Sequence, residues 1–188
     1  MLISARPGSF AGSLIPLMNN LLIALAILIL TPVSSLARQS TWRQATEKEL
    51  ASLVPSRAQV EKERIETELR TASGITDGRG KFIAGVVLIT AGYAAEGKYS
   101  HFFITRVPIR IGQMSLRPGD YVFGYRRLDE TNLEATFYEA STGKQLGTVR
   151  AVRQEARVAV RSLLISPPSN GKAAVLVGRF AFEFALAE

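Results

Sequence analysis

The chain has 188 residues, no cysteine and a formal net charge of +7, with 17 arginines among its 23 basic residues. The missing cysteine excludes a disulfide framework, a thiolate nucleophile, a thiolate metal site and a bacterial lipoprotein anchor. His101 is the only histidine, which excludes a metal site built on a His pair.

Leu21–Leu30 is an unbroken run of ten apolar residues, followed by Ser35-Leu36-Ala37. A secretory signal peptide has an apolar core of about 7–15 residues and small residues at −3 and −1 before the cut. The pattern predicts cleavage between Ala37 and Arg38. Arg6 is the only charged side chain in the leader, and Pro32 ends its apolar helix. The alternative is an uncleaved anchor. Leu14–Val33 reaches the roughly 20 residues that a membrane span needs only with Pro16, Asn19 and Asn20 inside it.

Cleavage leaves 151 residues with net charge +6 and no stable membrane span. That length suffices for one domain without covalent staples. The expected plan is a signal peptide over 1–37, an extension with a short helix over 38–58 and a single β-domain over 59–188. Localisation is then exported, either periplasmic or extracellular. A positive field favours anionic partners, so the expected partners are anionic envelope components or another exported protein. No run of five or more basic residues occurs, and nucleic acid is not expected.

Thr46-Glu47-Lys48-Glu49 has the form of a capping box, with Leu50, Leu53 and Val54 on one face and Pro55 as a stop. It predicts a helix over Glu47–Val54, and Trp42 is expected to tuck this segment onto the domain. Val60–Thr71 carries both periods: Ile65, Thr67, Leu69 and Thr71 alternate with charged residues, while Val60, Ile65, Leu69 and Ala72 share a helical stripe. We read it as strand.

Turn dipeptides then recur at Asp77-Gly78, Glu96-Gly97, Pro118-Gly119, Thr142-Gly143 and Asn170-Gly171, where glycine can supply a positive φ. Between them lie predicted strands. Lys81–Thr90 is apolar enough to be covered on both faces. His101–Val107 follows, and then Asp120–Arg126, with Tyr121, Phe123 and Tyr125 on one face. Leu133–Tyr138, Gln145–Val152, Arg157–Ile165 and Ala173–Val177 continue the series. Arg179–Leu186 sets Phe180, Phe182 and Phe184 opposite Glu183. Pro167-Pro168 reads as a loop. Short strands at these spacings predict an all-β fold, an antiparallel sandwich or small barrel.

Leu116-Arg117-Pro118-Gly119-Asp120-Tyr121 resembles the Leu-x-Pro-Gly-x-Tyr corner of exported β-sandwich modules of the immunoglobulin-like and transthyretin-like kind. The Phe137–Lys144 hairpin and Gly178-Arg179-Phe180 are similar to segments of uncharacterised exported bacterial proteins. The resemblance spans about 20 residues of strand–turn–strand. It implies a fold type and no catalytic residues.

The chemical inventory names no catalytic, cofactor or metal residue. His101 shares a predicted strand face with Phe103, Thr105 and Val107, which favours a packed or half-exposed structural residue over a general base. Asp77, Asp120 and Asp129 each sit beside a turn, where aspartate bonds its own backbone. Glu61, Glu63, Glu66 and Glu68 interleave with Lys62, Arg64 and Arg70 as an ion-paired face. Ser141-Thr142-Gly143-Lys144 lacks the opening glycine of a phosphate loop, and Gly78-Arg79-Gly80 lacks the third glycine of a dinucleotide fingerprint. The leading reading is a non-enzymatic exported β-domain that binds or scaffolds at the cell envelope. Tyr93, Tyr99, Arg126 and Arg127 are its candidate binding residues. A barrel carrying an apolar ligand in its lumen is the second reading, and an envelope hydrolase using His101 or a pair of glutamates is the third.

Overall fold

The computed structural model describes residues 8, 42–155 and 160–186. The expected signal peptide, apart from Gly8, and its expected cleavage site lie outside the described residues, as does the start of the expected strand at Arg157. Described residues 42–186 belong to one compact unit, 40–188.

Thirteen strands and one helix make up the described part. They are β1 (Arg43–Gln44), α1 (Glu47–Leu53), β2 (Arg57–Val60), β3 (Glu63–Thr76), β4 (Phe82–Ile89), β5 (His101–Thr105), β6 (Ile109–Ile111), β7 (Met114–Leu116), β8 (Gly119–Arg127), β9 (Asn132–Glu139), β10 (Gln145–Arg153), β11 (Arg161–Ser169), β12 (Lys172–Gly178) and β13 (Phe180–Leu186). Their antiparallel order β1-β3-β4-β5-β8-β9-β10-β13-β12-β11 curls into a nearly closed barrel. The all-β expectation is met, and of its two architectures the barrel is the one adopted.

Closure depends on small residues where β11 meets β3 and β4. A Cβ on Gly85 would sit 3.0 Å from Leu163 Cδ2 and 3.3 Å from the Phe102 carbonyl oxygen. The bare backbone there lets Leu163 and Ile165 pack across the seam. The Ile165 N–H donates to Ser73 Oγ at 2.9 Å, a side-chain bond in place of a ladder bond.

Alternation builds two apolar layers on this sheet. Inside, Phe103, Phe123, Phe137 and Phe182 pack ring on ring at centroid distances of 5.0–6.5 Å. Ile75, Ile83, Ile165, Val175 and Phe184 complete that core. Outside, Ala84, Val86, Phe102, Ile104 and Val122 point away from the lumen and are covered by Leu50, Val54, Ala58 and Tyr99. β4 is therefore buried on both faces, as its apolar run implied.

α1 carries the capping box in full. Thr46 Oγ1 accepts from the Glu49 N–H at 3.3 Å, and Glu49 Oε2 accepts from the Thr46 N–H at 2.8 Å. Trp42 packs, partly buried, against the inner core.

Several expectations need correction. Val60–Thr71 is strand, but it contains a hairpin: β2 turns into β3 at Glu61-Lys62, with Glu61 at φ 51°. A bulge between Glu68 and Ser73 then moves β3 from the outer layer at Ile65 to the inner one at Ile75, because its three extra residues, an odd number, reverse which face each side chain takes. Pro167-Pro168 is no loop. β11 runs through it with a register shift between Ser166 and Ser169, which tolerates two residues without an N–H. β1 and the β6–β7 hairpin were not expected. Gly119 opens β8 without a positive φ, unlike Gly78, Gly97, Gly143 and Gly171.

Candidate functional site

One end of the barrel opens into a mouth of about 1080 Å³. The inward-facing rows that fill the core end here in polar groups. On β8 the row Tyr121, Phe123, Tyr125 continues to Arg127, on β10 Ala151 is followed by Arg153, and on β11 Arg161 precedes Leu163 and Ile165. Arg179 stands in the turn between β12 and β13. Register brings these strand ends together, since Arg153 lies opposite Phe180 and Arg161 opposite Gly178.

Lys98 joins the four arginines in the lining, and among the described residues no aspartate or glutamate does. The arginines are exposed, and none forms a salt bridge among the described residues. Arg127 lies 5.8 Å over the Phe180 ring, and its Nε donates to the Asp129 carbonyl. Lys98 is committed to Glu61 at 3.1 Å. The Tyr99 hydroxyl also donates to Glu61 and, with Lys98, holds the Glu61 carboxyl below its ordinary range. This triangle pins the 90–100 loop at the mouth. The Lys98 carbonyl rests against Gly124, where any Cβ would collide with it.

His101 is the floor of the mouth and only 3% exposed. It stacks on Phe123 at 4.6 Å with the rings 2° from parallel, and Tyr125 flanks it at 5.9 Å. Nδ1 meets Ser100 Oγ at 2.8 Å, while Nε2 has no hydrogen-bond partner. Burial pushes its pKa down to about 4, opposed in part by the Ser162 backbone, so the imidazole is neutral at pH 7.

Of the residues singled out from sequence, Tyr99 and Arg127 line this mouth. Arg126 does not: it faces outward and pairs with Glu134 at 2.8 Å. Tyr93 packs against the outer layer. The four glutamates after Val60 stay apart, with Glu66 on Arg57, Glu68 on Arg70, Glu61 on Lys98 and Glu63 accepting from the Ala94 N–H. Glu183 pairs with Lys172. Arg153, Arg161 and Arg179 were not singled out. The usable signal was parity, because Arg127 follows Tyr121, Phe123 and Tyr125 at steps of two.

Fold and site together define a class: a nearly closed antiparallel β-barrel with a packed aromatic interior and a cationic mouth. No family model, no curated protein and no solved structure matches this chain.

Proposed function

We propose that this is an exported, non-enzymatic β-barrel domain that binds anionic components of the cell envelope through its arginine-lined mouth. The observation that carries the reading is the charge of the lining: five cationic side chains, no carboxylate, and four guanidinium groups without a salt bridge among the described residues. Neighbouring arginines left unpaired repel one another, and a bound anion removes that cost while offering the guanidinium forks bidentate partners. The phenylalanine-filled interior turns the search for a ligand from the lumen to the mouth. The Leu21–Leu30 leader supports export.

Co-sedimentation with lipid vesicles tests the proposal. The protein is expected to favour phosphatidylglycerol vesicles over phosphatidylcholine vesicles at low salt and to lose that preference at high salt. The Arg153→Glu/Arg161→Glu/Arg179→Glu variant is expected to show no preference at any salt, with its unfolding midpoint retained. Because the leader is the same in both proteins, the difference between them reports the mouth. Equal sedimentation with the two vesicle types by the unmodified chain would sink the reading.

A further inference from the structure

The floor of the mouth says more about the ligand than the rim does. Buried side-chain polar atoms almost always have a partner, yet His101 Nε2 has none at hydrogen-bond geometry, and the Ser162 backbone near the ring offsets only part of the cost of burial. The ring cannot swing out to find one, because it is stacked on Phe123 and tethered through Nδ1 to Ser100. The tether also limits what can satisfy Nε2. Ser100 Oγ carries one hydrogen and reaches both Nδ1 at 2.8 Å and the Phe123 carbonyl at 3.2 Å. If the hydroxyl donates to Phe123, Nδ1–H donates to Oγ and Nε2 is a bare acceptor. If it donates to Nδ1, Nε2 carries the proton and is a donor. A ligand hydroxyl serves either tautomer, whereas a deprotonated phosphate or carboxylate oxygen serves only the second.

Depth completes the argument. The imidazole is buried and the guanidinium groups are exposed. An occupant that satisfies both in either tautomer holds a hydroxyl inward and an anion outward. Guanidinium forks suit phosphate oxygens, and the apolar side chains of Leu133 and Val177 are also part of the lining.

We propose that the mouth binds a phosphorylated polyol, with its phosphate against Arg127, Arg153, Arg161 and Arg179 and a hydroxyl hydrogen-bonded to His101 Nε2. The proposal rests on the anion-binding reading above and narrows it. A free polyol phosphate and the headgroup of a glycerophospholipid share this chemistry.

Calorimetric titration of the full chain with glycerol 3-phosphate and with inorganic phosphate separates the two halves. Glycerol 3-phosphate is expected to bind at least about tenfold more tightly, a factor worth about 1.4 kcal/mol. His101→Phe should remove that advantage and leave inorganic phosphate binding unchanged, while Arg161→Glu/Arg179→Glu should weaken both. A second readout needs no variant. Because His101 is the only histidine, its ¹⁵Nε2 resonance is unambiguous, and it should shift with glycerol 3-phosphate and not with inorganic phosphate.

A lipid source appears instead as preference for phosphatidylglycerol over phosphatidylmethanol vesicles, which have equal charge and no headgroup hydroxyl. That preference should vanish in His101→Phe. Equal affinity for hydroxylated and bare phosphates in both arms, with a silent Nε2 resonance, overturns the polyol claim and leaves anion binding standing. Absence of binding to every phosphate probe overturns both.

Discussion

At the end of the barrel where β5 hands over to β6, the β6–β7 hairpin folds Ile109, Ile111 and Leu116 into the inner core, and β6 pairs with β13 at Ala185 and Leu186. At the opposite end, the inward rows of β8, β10 and β11 reach Arg127, Arg153 and Arg161 around a buried histidine. The sheet between them is the same, and so is the alternation. What differs is the last inward residue of each row. An apolar terminus invites a plug, since leaving it wet wastes burial. A guanidinium terminus refuses one, since desolvating an unpaired charge is costly. The closed end should thus govern stability, and the open end should be free to bind.

The largest expected effect breaks the molecule at the plug. Ile111 is fully buried, and Ile111→Ala should cost about 2–5 kcal/mol through lost burial and the cavity left behind. Arg161→Ala at the mouth should stay within about 0.5 kcal/mol, as surface substitutions do. Urea unfolding followed by far-ultraviolet circular dichroism compares the two directly. Comparable losses in both variants would mean that the mouth also carries the fold, and the contrast between the ends would collapse.

The same contrast explains what could be read from sequence. Strands that alternate by twos, or that run apolar between turn residues as β4 and β5 do, are visible, so β4, β5, β8, β9, β10, β12 and β13 were legible close to their bounds. The inward face of Phe180, Phe182 and Phe184 was legible as well. The helix was legible because its capping box is local chemistry. The β2–β3 hairpin was not, because its turn uses Glu61 at positive φ in place of a glycine, and the Lys98 and Tyr99 contacts to that side chain come from 37 and 38 residues away. The β6–β7 plug was hidden for a related reason, since three-residue strands leave too few alternations to count. The mouth failed at another level. Arg153, Arg161 and Arg179 converge only once β10, β11, β12 and β13 are in register, and no local pattern carries that register. His101 is packed, one of the two structural settings, packed or half-exposed, that its strand face suggested. That one of its nitrogens lacks a partner is a property of the assembled floor alone.

A smaller effect sharpens the comparison through pH. In the unfolded chain His101 titrates near its ordinary 6.5, whereas burial pushes it down to about 4 in the folded protein. Between those values the unfolded state binds a proton that the folded state refuses, so stability falls as pH drops through this window and is complete above it. The loss should total on the order of 3 kcal/mol. Glu49 and Asp129 are both held at about 2, Glu49 chiefly by its bond from Arg43 and Asp129 by its bonds from Thr131. They withdraw their support only as pH falls below the ordinary carboxylate range, so the two windows separate. Urea midpoints measured from pH 7 to pH 5 should slope for the unmodified chain and lie flat for His101→Phe. An equal slope in both would place the titrating group elsewhere.

The smallest effect returns to the closed end. Tyr121 opens the inward row of β8, and its hydroxyl donates to the Arg117 carbonyl at 2.7 Å across the β7–β8 junction. Tyr121→Phe keeps the ring and its packing and removes only this bond. Arg117 is exposed, so water can reach the freed carbonyl, and the cost should be about 1 kcal/mol, that of an ordinary hydrogen bond. Because Tyr121 begins the row that Arg127 ends, the variant also asks whether the two ends communicate. With apolar packing intact from Phe123 to Tyr125, the preference for phosphatidylglycerol vesicles should be unchanged while the urea midpoint falls. A loss of that preference in Tyr121→Phe would show that strand β8 transmits disorder along its length, and the ends could no longer be treated as independent.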